Sequence, residues 1–155
     1  MPKERIYTIR GKQPAATTHT KIQLSSHDPK AMYVIEEFKI MPAGNPGNSN
    51  VYGIISMGRN DNIDPSDPDF SNQNEIAWAH HSVRGLGGLG ESIQFFNYEV
   101  NDEKLFNYDV WLHTQDRVGN SEVNYFLKIR KYSVDSATGS IGSLRQYQYN
   151  DQANQ

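Results

Sequence analysis

The sequence predicts an all-β chain, an eight-stranded antiparallel β-sandwich of jelly-roll type. Three observations lead there. Val, Ile, Thr, Tyr, Phe and Trp gather in short runs, with Gly, Pro, Asn, Asp and Ser between them. Several runs alternate apolar and polar residues with the two-residue period of a half-covered strand. No stretch keeps a helical period over about ten residues. Eight strands without helices make a sandwich or barrel, and two sheets joined as a jelly roll is the common eight-stranded solution.

The strands are expected at 5–9 (RIYTI), 16–24 (ATTHTKIQL), 32–41 (MYVIEEFKIM), 51–58 (VYGIISMG), 75–83 (EIAWAHHSV), 92–100 (SIQFFNYEV), 107–115 (NYDVWLHTQ) and 122–132 (EVNYFLKIRKY). In the third, Met32, Val34, Phe38 and Ile40 share a face broken only by Glu36. In the seventh, Tyr108, Val110 and Leu112 alternate with Asp109 and His113, with Trp111 on the polar side. In the eighth, Val123, Tyr125, Leu127 and Ile129 stand opposite Asn124, Lys128 and Arg130. The expected core is Val34, Phe38, Ile40, Ile55, Trp78, Phe96, Val110, Leu112, Tyr125, Leu127 and Ile129.

The connections follow from turn chemistry. Residues 42–50 (PAGNPGNSN) are rich in Pro, Gly and Asn, which excludes regular structure. Residues 116–121 (DRVGNS) form a tight link, read as a hairpin. The longest loop is 59–74 (RNDNIDPSDPDFSNQN), and a loop of that length with no helix has a function or covers something. One or two helical turns at most are expected, at 101–106 (NDEKLF). The whole reads as one domain over 1–155, with a mildly basic arm at 1–15, a jelly-roll core at 16–132 and a polar tail at 133–155.

Composition narrows the chemistry. The chain has 155 residues, enough for a core that needs no staples, and no cysteine. Disulfides, thiol catalysis and cysteine-bound zinc are excluded. The opening MPKERIYTIRGKQP has no apolar run, so it does not read as a signal peptide, and no apolar stretch is long enough for a bilayer-spanning helix; no membrane partner is expected. Net charge is −3, which argues against a nucleic-acid binder that uses its whole surface. The charge is uneven. Residues 1–21 carry Lys3, Arg5, Arg10, Lys12 and Lys21 against Glu4, a local +4. Residues 59–75 carry Asp61, Asp64, Asp67, Asp69 and Glu75 against Arg59, a local −4.

Motifs add little. Gly85-Leu86-Gly87-Gly88-Leu89-Gly90 contains the dinucleotide glycine spacing, but a strand follows it where the fingerprint needs a helix. It reads as a loop. Asp61, Asp64, Asp67 and Asp69, with Asn60 and Asn62, offer oxygens of the kind calcium takes. Their spacing is not that of an EF-hand, and Pro65 and Pro68 interrupt it, so a solvated acidic loop is the plainer reading. His80 and His81 are adjacent and point to opposite faces of a strand, so they cannot chelate one metal together. No nucleophile elbow, H-E-x-x-H or Walker pattern is present, and no enzyme is expected. Trp78 and Trp111 read as packing residues or, alternatively, as a sugar platform.

MYVIEEFKIMP at 32–42, DPSDPDFSNQNEIAW at 64–78 and the closing hairpin at 107–132 follow a mildly basic front and precede a polar tail. In this pattern the chain resembles single jelly-roll capsid proteins of small icosahedral viruses. The resemblance implies a virion structural protein that assembles with copies of itself. It also implies that Lys3, Arg5, Arg10, Lys12 and Lys21 face packaged nucleic acid. The arm is far less basic than the dense Arg/Lys arms of many such proteins, so genome contact would be weak per subunit. A non-catalytic carbohydrate-binding β-sandwich module is the alternative.

Overall fold

The computed structural model describes residues 4–24, 31–44, 48–85, 92–101, 105–106, 109–118 and 121–133. Eight strands appear near the expected positions: β1 (Glu4–Gln13), β2 (Thr18–Ile22), β3 (Ala31–Pro42), β4 (Asn48–Ser56), β5 (Glu75–Gly85), β6 (Ser92–Val100), β7 (Val110–Asp116) and β8 (Val123–Ser133), with β4 starting inside the 42–50 stretch expected to be irregular because Asn48–Asn50 pair with Ser82–Arg84. They form two antiparallel sheets, one of three strands in the order β1-β8-β3 and one of five in the order β2-β7-β4-β5-β6. Among the described residues there is no helix. Lys3, the Gly-rich 86–90 segment and the tail from 134 onward lie outside the described residues.

The first strand is longer than the sequence pattern implied. β1 pairs with β8 at all ten positions, so most of the expected arm is an edge strand. Cationic side chains suit such an edge, because they discourage pairing with a further chain. Gly11 is required there. A Cβ at that position would sit 2.8 Å from the Tyr125 hydroxyl of the neighbouring strand.

The sheets meet over one apolar core that includes Ile35, Phe38, Ile40, Ile55, Val110, Leu112, Leu127 and Ile129. Four expected core residues are placed differently. Val34 is buried but belongs to the opposite face, because the β3–β8 register shifts between Ile35 and Glu37. A bulge absorbs one residue and exchanges the faces on either side of it, so Tyr33 and Ile35 point inward before it and Phe38 and Ile40 after it. Trp78 pairs with Ile54 on the outer face of the five-stranded sheet. Tyr125 is half-buried against the core margin. Phe96 is 60% exposed, because the five-stranded sheet is wider than its partner and β6 is its outermost strand.

In the expected helical segment 101–106, residues 102–104 lie outside the described residues. Phe106 is fully buried and bridges Tyr33 in antiparallel fashion, with the rings stacked at 5.9 Å. Burial of that ring on β3 fixes Phe106 as an isolated strand-like bridge.

Candidate functional site

The long 59–74 loop lies against the outer face of the five-stranded sheet. Ile63 of the loop and Ile54 of β4 are both buried, yet neither belongs to the central core. Asp61, Asp64 and Asp69 are used locally. Asp64 accepts from the Ser66 amide and hydroxyl, and Asp69 accepts from those of Ser71. Asp61 pairs with Arg59 at 3.0 Å. These bonds hold the Asp61, Asp64 and Asp69 carboxyls below the ordinary range. Asp61 and Asp64 line one cleft, but Asp67 and Asp69 do not join them there. No group of three or more His, Cys, Asp or Glu side chains among the described residues is placed to hold a metal ion. Asp64 and Asp69 act as turn caps, the ordinary role of Asp beside Ser in an irregular segment.

Three polar side chains line up on this outer face. Ser56 Oγ donates to the Gly58 carbonyl at 2.7 Å. Its one proton is thereby used, so His113 Nε2–H must donate to Ser56 Oγ, 2.8 Å away. His113 Nδ1 then accepts from His19 Nδ1–H at 2.7 Å. His113 is fully buried, and desolvation drives its pKa down to about 3, with the neighbouring His19 adding to the effect and Asp61 opposing it. His113 is thus a neutral link between Ser56 and His19. Ser56 is itself completely buried and has no base to remove its proton, so the pair is not an activated nucleophile.

His80 and His81 point to opposite faces, as strand geometry requires. His81 is buried, and its Nδ1 donates at 3.2 Å to Tyr98, whose hydroxyl donates in turn to the Ile40 carbonyl at 3.1 Å. His80 donates through Nε2 to Asn50 Oδ1 and stacks on Tyr52 at 4.2 Å with the rings 3° from parallel. Burial lowers the pKa of both imidazoles.

Beside His80 is a small cleft of about 150 Å³. Tyr52 and His80 form one wall and Trp78 with Phe70 another, the last two meeting edge-to-face at 4.7 Å. Pro65 and Pro68 of the loop close a side, and Asn97 and Glu99 of β6 stand at the rim. Glu75 holds the indole. It is buried, and it accepts from Trp78 Nε1 at 2.9 Å and from the Asp69 amide at 3.0 Å. Desolvation raises its pKa. The aromatic pairing was not legible beforehand, because Phe70 and Trp78 are brought together only by the fold of the loop. Trp111, the other platform candidate, lies under the Arg59 guanidinium at 5.5 Å.

The basic residues singled out in the sequence divide among different surfaces. Cross-strand partners share a face, so Arg10 and Lys12 of β1 lie with Lys128 and Arg130 of β8 and Lys39 of β3 on the outer face of the three-stranded sheet. Arg130 pairs with Glu36 across the bulge. Arg5 lies on the other side of β1, over Tyr7 at 5.8 Å. Lys21 is on the five-stranded sheet, 3.8 Å from Asp109. Sequence proximity grouped Arg5, Arg10, Lys12 and Lys21, which the alternation of strands and the change of sheet separate. It missed Lys39, which joins Arg10 only through the β3–β8–β1 register.

At the open side of the sandwich a second, more apolar cleft of about 390 Å³ runs beside β6, lined by Ile40, Met41, Phe96, Tyr98, Tyr125 and Phe126. Phe95 and Phe96, on opposite faces of that edge strand, are 58% and 60% exposed.

No protein-family model and no curated protein matches the chain. A solved structure from work described as "Bacillus endospore appendages form a novel family of disulfide-linked pili" is similar over 87% of this chain and 92% of that one, at 11% identity and a TM-score of 0.36.

Proposed function

We propose that this chain is a non-catalytic structural subunit that assembles with copies of itself through the β6 edge, forming a closed shell like those of single jelly-roll capsid proteins. The observation that carries the proposal is the β6 edge. It is nine residues long, ends its sheet among the described residues, and exposes two phenylalanines, of which Phe96 lines an apolar cleft. A long apolar edge of this kind is an association site unless something covers it.

The jelly-roll reading is supported by strand pairing. An eight-stranded ribbon folded on itself pairs the first strand with the last, the second with the seventh, and so inward. The β1–β8, β2–β7 and β4–β5 ladders follow that rule. The remaining pair, β3 and β6, has no ladder, but Tyr98 of β6 bonds to the Ile40 carbonyl of β3 across the seam. In the proposed shell, the face bearing Arg10, Lys12, Lys39 and Lys128 turns toward the interior. It supplies weak, salt-dependent attraction to nucleic acid. The acidic loop, on the other sheet, turns outward. Arg5 and Lys21 have no part in that inner face.

Light scattering of the purified full chain tests assembly. The wild type is expected to form particles of many subunits. Phe96→Glu, on an exposed side chain that contributes little to folding, is expected to leave monomers of unchanged melting temperature. A wild-type chain that stays monomeric at every concentration, or a Phe96→Glu variant that assembles equally well, rejects the proposal.

A further inference from the structure

We infer that the cleft between Trp78, Phe70, Tyr52 and His80 is a binding site for one neutral pyranose ring, independently of whether the chain forms a shell.

A pyranose has an apolar face of axial C–H groups and a polar perimeter of hydroxyls. Its receptor needs aromatic carbon for the first, donors and acceptors for the second, and rigidity in both. Each requirement is met by different residues. The aromatic walls are fixed: Trp78 by its bond to Glu75 and by Phe70 against it, His80 by Asn50 and by the Tyr52 ring beneath it. The same Glu75 receives the Asp69 amide, so the loop carrying Phe70 is tied to the indole it packs against. A wall held this way loses little freedom when a ligand arrives.

The polar perimeter is on β6. Asn97 pairs with His80 and Glu99 with Trp78 across the β5–β6 ladder, which puts both on the cleft's face. Both side chains are exposed. An amide supplies donors and an acceptor, and a carboxylate supplies acceptors, the combination that vicinal hydroxyls take.

Charge and size narrow the ligand class. Among the described residues Glu99 is the carboxylate at the rim, and His80, the imidazole lining the cleft, has its pKa lowered by burial. Among the described residues no Lys or Arg lines the cleft, so an anionic sugar is disfavoured and a neutral one is not. At about 150 Å³ the cleft is well below the roughly 300–1,000 Å³ of pockets for drug-sized ligands. One ring, free or at the end of a glycan, is the fitting size. Affinity for so small a ligand is expected in the millimolar range.

Saturation-transfer difference NMR tests this, because it reads the ligand and works whether the protein is a monomer or a large particle. The probes are methyl β-D-glucopyranoside, methyl β-D-galactopyranoside and methyl α-D-mannopyranoside, with glycerol and the methyl glycoside of N-acetylneuraminic acid as controls. At least one neutral glycoside is expected to give a saturable signal strongest at the ring protons of one face. Glycerol and the anionic glycoside are expected to give none. Phe70→Ala removes a side chain that is 71% exposed and is expected to weaken binding without unfolding the chain. The Asn97→Ala/Glu99→Ala double variant is expected to weaken it by roughly tenfold or more, the loss of two hydrogen bonds. The inference is overturned if none of the three neutral glycosides saturates. It is equally overturned if the signal persists unchanged in both variants, or if the anionic glycoside binds as well as the neutral ones.

Discussion

His113 Nδ1 lies 2.7 Å from His19 Nδ1 across the β2–β7 ladder, and the Ser56–Gly58 bond on the other side fixes the ring proton on Nε2. Folded, His113 takes up a proton only near pH 3, whereas in an unfolded chain it does so at its ordinary value of 6.5. Between those values the unfolded state binds the extra proton, so stability falls as pH falls from 6.5 toward 3. His80 and His81, both lowered by burial, act in the same direction. Glu75, raised by desolvation, works oppositely over the range just above 4.5. Urea unfolding as a function of pH is expected to show a net loss of stability, with His113 contributing at most about 1.4 kcal/mol per pH unit. Stability that is flat or rises on acidification across that window contradicts a neutral buried His113.

Removing the Ser56 hydroxyl tests the link itself. Ser56→Ala strands the His113 Nε2–H in a place water does not reach. The expected cost is roughly 1–3 kcal/mol in chemical denaturation, the usual penalty for a buried donor left without an acceptor. A neutral effect would mean that the imidazole turns to another partner.

Gly53 and Phe38 set the spacing of the two sheets. A Cβ on Gly53 would lie 2.9 Å from Phe38 Cζ and 3.2 Å from Ile40 Cγ2. The Phe38 ring belongs to a closely packed core, so Gly53→Ala is expected to destabilise by about 1–3 kcal/mol. Phe38→Leu is expected to relieve part of that strain, so the double variant should be less destabilised than the sum of the single ones. Additive losses in a double-mutant cycle would show that the two positions do not meet.

Leu127 is completely buried between its β1 and β3 neighbours, Ile9 and Phe38. Leu127→Ala is expected to cost roughly 2–5 kcal/mol, read from the shift in denaturation midpoint. A loss below about 1 kcal/mol would place this side chain outside the core.

The sequence by itself determined the eight strands, their antiparallel sandwich and most of the core. Those follow from local rules. Alternation along β8 selects Leu127 and Ile129, and turn residues break the chain wherever it must reverse. The opposed directions of His80 and His81 needed only the pleat. Tertiary structure decided the rest. One bulge near Glu36 moved Val34 off the inner face, because a shift of one residue exchanges every side chain beyond it. The unequal width of the sheets, not the composition of β6, left Phe96 exposed. The register across three strands placed Lys39 with Arg10 and sent Lys21 to the other sheet. The cleft exists because Glu75 ties Trp78 to a loop whose path no periodicity encodes. Strand identity comes from neighbours in sequence. The functional surfaces come from residues that only strand pairing and loop packing bring within reach of one another.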